Sequence, residues 1–218
     1  MRPELASLIS TRGQYDHLAS IYLPIAAGVF VAIAATMLFA VLRYHRPRDP
    51  SQRAENNLLE GSYTVLLACV VGVLIWLTLT AEHRVDTVAN HERPALTVDV
   101  TAAKWEWRFR YPAYGIVHRS GTAGDQPLVV PADRAIRFNL TSQDVIHAFW
   151  VPELRFKRDL FAGTVEHVTL TFTRLGRFKG QCAEFCGLRH AEMLFHVRVL
   201  APRRFAAWLE ANRGGGRA

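Results

Sequence analysis

Apolar and polar positions divide the chain into two contrasting regions. Ile21 to Leu42 and Gly61 to Ala81 are apolar runs without a charged residue, each close to the ~20 residues a helix needs to cross ~30 Å of hydrocarbon. Backbone polar groups inside a bilayer must pair within the segment, which a helix does by itself. The pattern predicts two membrane-spanning helices in an antiparallel hairpin. A cleaved signal peptide does not fit the first run, which is too long and is followed by a second.

From about Thr97 the period changes. Leu96–Thr101, Ile136–Thr141, Val165–Phe172 and Leu194–Leu200 nearly alternate and are rich in β-branched and aromatic residues, the mark of half-buried strands. Pro112, Gly115, Pro131, Gly163 and Gly176 punctuate them. Strands without long amphipathic helices between them predict an antiparallel sandwich or barrel. Only Phe205 to Asn212 reads as a helix, followed by the tail Arg213–Gly216. There is no internal repeat or low-complexity segment. The expected division is a tail and hairpin over 1–94, with spans at about 21–42 and 61–81, then a soluble all-β domain over 95–218.

Charge adds an orientation. The connection between the spans carries Arg43, Arg46, Arg48 and Arg53, whereas the amino-terminal tail offers Arg2 and Arg12. Positive-inside bias then places the connection in the cytoplasm and both chain ends outside, with Arg84 and Arg93 opposing it slightly. Residues up to Leu96 hold 8 basic and 8 acidic side chains and those after it 18 and 11, so the whole net charge of +7 belongs to the soluble domain. A basic domain often contacts nucleic acid; a membrane hairpin and an external location exclude that class.

Candidate chemistry is concentrated in one stretch. Cys182 to Met193 packs two thiols, an imidazole (His190) and a thioether into 12 residues. Of the 3 cysteines and 3 methionines, Cys69 and Met37 lie in the apolar runs and Met1 is the initiator. The loop therefore holds every sulfur donor of the soluble part. Thiolate and thioether are soft and imidazole is borderline, a mixture that favours copper, and a Met ligand is foreign to zinc sites. The spacing of Cys182 and Cys186 alone also allows a disulfide. A single blue-copper ion needs a second His. His147, after a strand and among apolar residues, is the best candidate, although a His there is more often a satisfied core residue. Two thiolates exceed what one such ion uses. Two ions bridged by both sulfurs, each with one His, use every donor.

The loop Gly180-Gln181-Cys182-Ala183-Glu184-Phe185-Cys186-Gly187-Leu188-Arg189-His190-Ala191-Glu192-Met193 resembles the copper A motif of cytochrome c oxidase subunit II. The likeness extends to His147-Ala148-Phe149-Trp150-Val151-Pro152 and on to Gly163, with Ala148 for the usual serine and Ala162 for the usual proline. It includes the aromatic stretch Lys104 to Tyr111 and the run Asn56 to Thr64 into the second span. The resemblance implies a membrane-anchored, cupredoxin-like sandwich with a binuclear copper centre, bridged by Cys182 and Cys186 and capped by His147 and His190. Met193 and the Glu184 carbonyl are then weak axial ligands. By the same likeness the Glu184 side chain reaches a magnesium ion shared with the catalytic subunit, and Trp105 receives electrons from cytochrome c. Glu60 stands at a proton path, where it is equally readable as a carboxylate favoured at a helix amino terminus. The implied role is electron acceptance in a respiratory oxidase of a bacterial inner or cell membrane. The implied partners are subunit I, further oxidase subunits, cytochrome c or another external donor, and lipid, without nucleic acid. Oxygen is reduced to water in the partner, coupled to proton translocation.

One departure concerns docking. Lys104, Arg108 and Arg110 flank the tryptophan where the family carries acidic and amide residues, so an acidic or tethered donor is the expected alternative. A membrane copper chaperone would have one span and an α/β pattern. A quinol oxidase subunit would lack the ligands. A nitrous oxide reductase would need a propeller for which there is no length.

Overall fold

The computed structural model describes residues 11–45, 56–91 and 93–213. The chain divides into two compact units, Gln14–His83 and the remainder. The first consists of two helices, α1 (Thr11–Tyr44) and α2 (Asn57–His91), the latter running on past this unit. Both outlast the apolar runs that predicted them, because polar flanks with good helix propensity carry the same hydrogen-bond ladder onward. Asn56 caps α2, its Oδ1 accepting from Leu59 N–H at 3.2 Å. Arg43 in the last turn of α1 complements that helix's carboxyl end. The Tyr22 hydroxyl of α1 donates to the Leu74 carbonyl of α2 at 2.6 Å. Leu23, Phe30, Leu38, Leu66, Ile75 and Trp76 are exposed around both helices, as a lipid-facing surface requires. Arg2, Arg46, Arg48 and Arg53, on which the orientation rests, lie outside the described residues, as do the side chains of Arg12 and Arg84 and the glycine tail.

The second unit is a two-sheet sandwich. Its strands are β1 (Leu96–Ala103), β2 (Glu106–Tyr111), β3 (Ile116–Gly121), β4 (Gly124–Asp125), β5 (Leu128–Pro131), β6 (Ala135–Ser142), β7 (His147–Val151), β8 (Phe156–Leu160), β9 (Glu166–Thr171), β10 (Gly176–Cys182) and β11 (Leu194–Leu200). They form sheets of order β4-β3-β2-β1-β6-β9 and β5-β11-β10-β7-β8. Alternation chooses the faces: Leu96, Val98, Val100 and Ala102 of β1 point inward, and Thr97, Asp99, Thr101 and Ala103 outward. Aromatic rings join the sheets. Trp107 lies 5.8 Å from Phe149 and 5.1 Å from Phe195, and Phe109 lies 5.7 Å from Phe195. Each such side chain, wholly buried, contributes about 1.5–3 kcal/mol. Gly180 keeps that seam close, since a Cβ there would run into the Phe195 ring.

The expectation of purely antiparallel pairing needs correction. β1 pairs with β6 and β5 with β11 in parallel. Both links join strands distant in sequence, where no tight turn imposes an antiparallel return. The last helix, α3 (Pro202–Asn212), begins three residues earlier than expected because Pro202 is admissible at a first helical position. It buries Phe205 and Leu209, and Trp208 packs on Tyr111 and His118 at 5.3 and 5.4 Å. The contact between β7 and β10 is the slightest join in its sheet, with Gln181 opposite Trp150 and Cys182 opposite Phe149.

Candidate metal centre

The loop joining β10 to β11 brings its four sequence-predicted donors to the end of the sandwich where β7 begins. Cys182 closes β10, and its N–H donates to the Met193 carbonyl at 3.0 Å, so the loop's two ends are tied together. The indole N–H of Trp107 donates to the same carbonyl at 3.2 Å. Sequence reasoning placed Trp107 in an aromatic stretch without foreseeing this support, which depends on β2 lying under the loop. Short helical turns at His190–Glu192 bring His190 back over Cys186.

The donor atoms converge. The two Sγ atoms are 3.9 Å apart. This is far beyond a disulfide bond of about 2.05 Å, and both thiols are free. It is also less than twice a metal–thiolate bond of about 2.3 Å, so an ion between the sulfurs can touch both. His147 Nδ1 lies 3.7 Å from Cys182 Sγ, and His190 Nδ1 3.4 Å from Cys186 Sγ. Met193 Sδ lies 3.8 Å from Cys186 Sγ, and the Glu184 carbonyl oxygen 3.2 Å from Cys182 Sγ. Ligand atoms of His147, Cys182 and Cys186 all lie within 4.8 Å of one another. Cys182, Cys186, Met193 and His147 are all buried, and His190 is partly exposed beside Phe185.

Electrostatics ready the set for a cation. Asp144 accepts from His147 Nε2–H at 2.8 Å, fixing the tautomer that leaves Nδ1 free to bind. The sequence signal for this support is the spacing of Asp144, three residues before the histidine. Burial opposes charge on His147, but Cys182 and Asp144 outweigh it and hold its pKa above the ordinary range. Burial likewise raises the Cys182 thiol, yet His147 and the Ala148 and Glu184 backbone contacts pull it down overall. Cys186 moves up through burial and the neighbouring Cys182 charge. Near neutral pH the pair therefore retains a proton on Cys186 that a metal ion held by both sulfurs would displace. Loading copper at pH 7–8 is expected to release about one proton or more per chain. Apparent affinity should rise with pH until Cys186 is ionised. Indicator titration in weak buffer measures the release, and loading without it would contradict the thiol assignment.

The remaining predicted residues fall around this centre or away from it. Trp105, partly exposed, donates its indole N–H to the Cys186 carbonyl at 3.2 Å, and its ring covers Gly187. The Glu184 carboxylate turns from the sulfurs and lies 3.6 Å from Lys157 Nζ. Glu60 sits in the first turn of α2, in the other unit. The arginines thought to give the tryptophan a bare positive surface are paired: Arg110 with Asp99 at 2.6 Å and Arg108 with Glu106 at 3.5 Å. Phe185, Leu188 and Ile146 are instead exposed, 79, 93 and 45 %.

A family model described as cytochrome c oxidase subunit II, periplasmic domain, matches residues 96–200. A probable cytochrome c oxidase subunit 2 of Streptomyces avermitilis is 31% identical over 83% of this chain and 69% of its own length. One of Nocardia farcinica is 30% identical over 83% of this chain and 64% of its own. The chain thus spans about two thirds of the length of these relatives. The crystal structure of the periplasmic domain of subunit II of cytochrome oxidase from Bradyrhizobium japonicum is similar at 32% identity and TM-score 0.54, covering 58% of this chain and 99% of that one.

Proposed function

The chain belongs to the cytochrome c oxidase subunit II family, and on that premise we propose that it is the electron-accepting subunit of a membrane haem-copper oxidase. The observation that carries this reading is the convergence of two thiols, two imidazole nitrogens, a thioether and one carbonyl, each within 4 Å of a neighbouring donor. The donors are soft and the site is largely buried, which fits copper and not magnesium or calcium. Cys182, Cys186, His147 and His190 would hold two copper ions, with Met193 and the Glu184 carbonyl as weaker donors beside them. When bound, copper would supply a one-electron relay.

The chain's own residues make that relay usable. Asp144 orients His147, Trp107 and the Cys182 N–H fix the Met193 carbonyl, and the Phe149–Phe195 stack beneath excludes water. Trp105 stands between solvent and the Cys186 backbone, the position for receiving an electron from cytochrome c or another external donor. The electron leaves for the haem of subunit I, where oxygen is reduced to water with coupled proton translocation. Glu184 offers one carboxylate to a magnesium ion shared with that subunit, as magnesium takes one or two protein carboxylates and keeps waters. Glu60 serves as the mouth of a proton path. The two helices span a bacterial membrane, and the copper domain lies outside.

The test is copper titration of the purified full-length chain. Saturation at two ions per chain is expected, with a paramagnetic resonance spectrum of one electron shared by both. Saturation at one ion, or a spectrum of a single localised ion, would overturn the binuclear assignment.

A further inference from the structure

Three arginines of the soluble domain meet in a groove away from the loop of Cys182 to Met193. This groove of about 770 Å³ is bounded by the starts of β10 and α3 and the end of β11. Arg177, Arg198 and Arg204, one from each of those elements, line it together with a single carboxylate, Asp125. Arg177 and Arg198 are directly opposed across the β10–β11 ladder. Like charges in that position destabilise a sheet unless something neutral or negative lies between them. Asp125 lies 3.8 Å from Arg177 and 3.6 Å from His196, whose Nδ1 is 3.1 Å from the Arg177 guanidinium, so Arg177 is partly neutralised. Arg198 and Arg204 have no acidic partner among the described residues.

We propose that this groove binds a phosphate group. Guanidinium presents paired N–H donors in a planar fork that matches phosphate oxygens. The two unpaired forks of Arg198 and Arg204, with Arg177 beside them, suit an anion with several acceptor oxygens better than a carboxylate with two. The groove also has apolar walls, Pro127, Val199, Leu200 and Leu175, the last 60% exposed, so an ester's carbon skeleton can lie beside the charged head. Arg177 stands five positions before Cys182 on one strand, roughly 17 Å at about 3.4 Å per residue. The site is therefore separate from the copper centre and does not depend on the function proposed for it.

Two sources share this chemistry, free phosphate and the headgroup of an anionic phospholipid, and the experiment separates them. The full-length chain in uncharged detergent is titrated calorimetrically at constant ionic strength. One arm uses inorganic phosphate, a second dihexanoyl phosphatidylglycerol below its micelle threshold, and a third dihexanoyl phosphatidylcholine. Saturable binding of one phosphate or phosphatidylglycerol per chain is expected, at least tenfold weaker in R198Q/R204Q and unchanged in R119Q on the other sheet. Phosphatidylcholine, whose choline cation meets the arginines, should bind more weakly than phosphatidylglycerol. Equal affinity for phosphate and phosphatidylglycerol identifies the free anion as sufficient; at least tenfold preference for phosphatidylglycerol identifies the headgroup. Copper content of each variant controls for folding. No saturable binding in either anionic arm, or equal weakening by R119Q, overturns the proposal.

Discussion

Cys182→Ser is expected to abolish the two-copper centre and its shared-electron signal, leaving at most one weakly held ion. Cys182 is the hub of the donor set: its sulfur meets His147 Nδ1, Cys186 Sγ and the Glu184 carbonyl at 3.7, 3.9 and 3.2 Å. A serine oxygen is hard and stays protonated where the thiol ionises, so it cannot bridge soft ions. The fold should survive, because the Cys182 N–H to Met193 carbonyl bond needs no side chain. Cys69→Ser is the matched control. Its thiol is exposed on α2 in the other unit, and the same copper count and spectrum are expected as in wild type. Metal analysis with paramagnetic resonance decides, and two retained ions with an unaltered spectrum in Cys182→Ser would remove the cysteine from its bridging role.

The second large effect is on the rate of reduction. Trp105→Ala should leave copper content intact while slowing reduction by a protein donor by roughly thirtyfold or more. That figure corresponds to the ~2 kcal/mol lost when a central interface aromatic is truncated. The indole both covers Gly187 and bonds the Cys186 carbonyl, so its removal breaks a direct contact from the partly exposed ring to the backbone of a candidate ligand. Salt dependence refines the expectation drawn from Arg108 and Arg110. Because each is ion-paired and the copper rim presents Phe185, Leu188 and Ile146, wild type should respond only weakly to ionic strength. Arg108→Glu with Arg110→Glu leaves Glu106 and Asp99 unbalanced. That variant should react faster with a basic cytochrome c at low salt and slower with an acidic donor, the effect fading above about 0.1 M. Stopped-flow rates across a salt series measure this. Strong acceleration of wild type with the basic donor at low salt would place electron arrival at another, acidic surface.

How far the sequence could be read depended on the range of the interaction. The cluster of donor side chains was legible because soft side chains are scarce and a single loop concentrates them, and the place of His147 beside it because the loop lacked one imidazole. The membrane helices were legible because a bilayer tests each segment by itself. Alternation told which face of β1 is buried but not that its neighbour is β6, since pairing partners are chosen by the whole sheet. For the same reason the sequence showed Arg110 as a bare charge. Asp99, eleven positions earlier, meets it only once β1 and β2 are in register. The Trp107 bond to Met193 was hidden likewise, because it spans 86 positions.

The slight join between β7 and β10 has a consequence for how the protein matures. His147 begins one strand of that join and Cys182 ends the other, so a metal ion held by both side chains would tie the two strands together. In the metal-free chain, opening this seam would break few ladder bonds and uncover sulfurs that are buried when it is closed. Coordination would then turn the loosest place in the sheet into a fastened one.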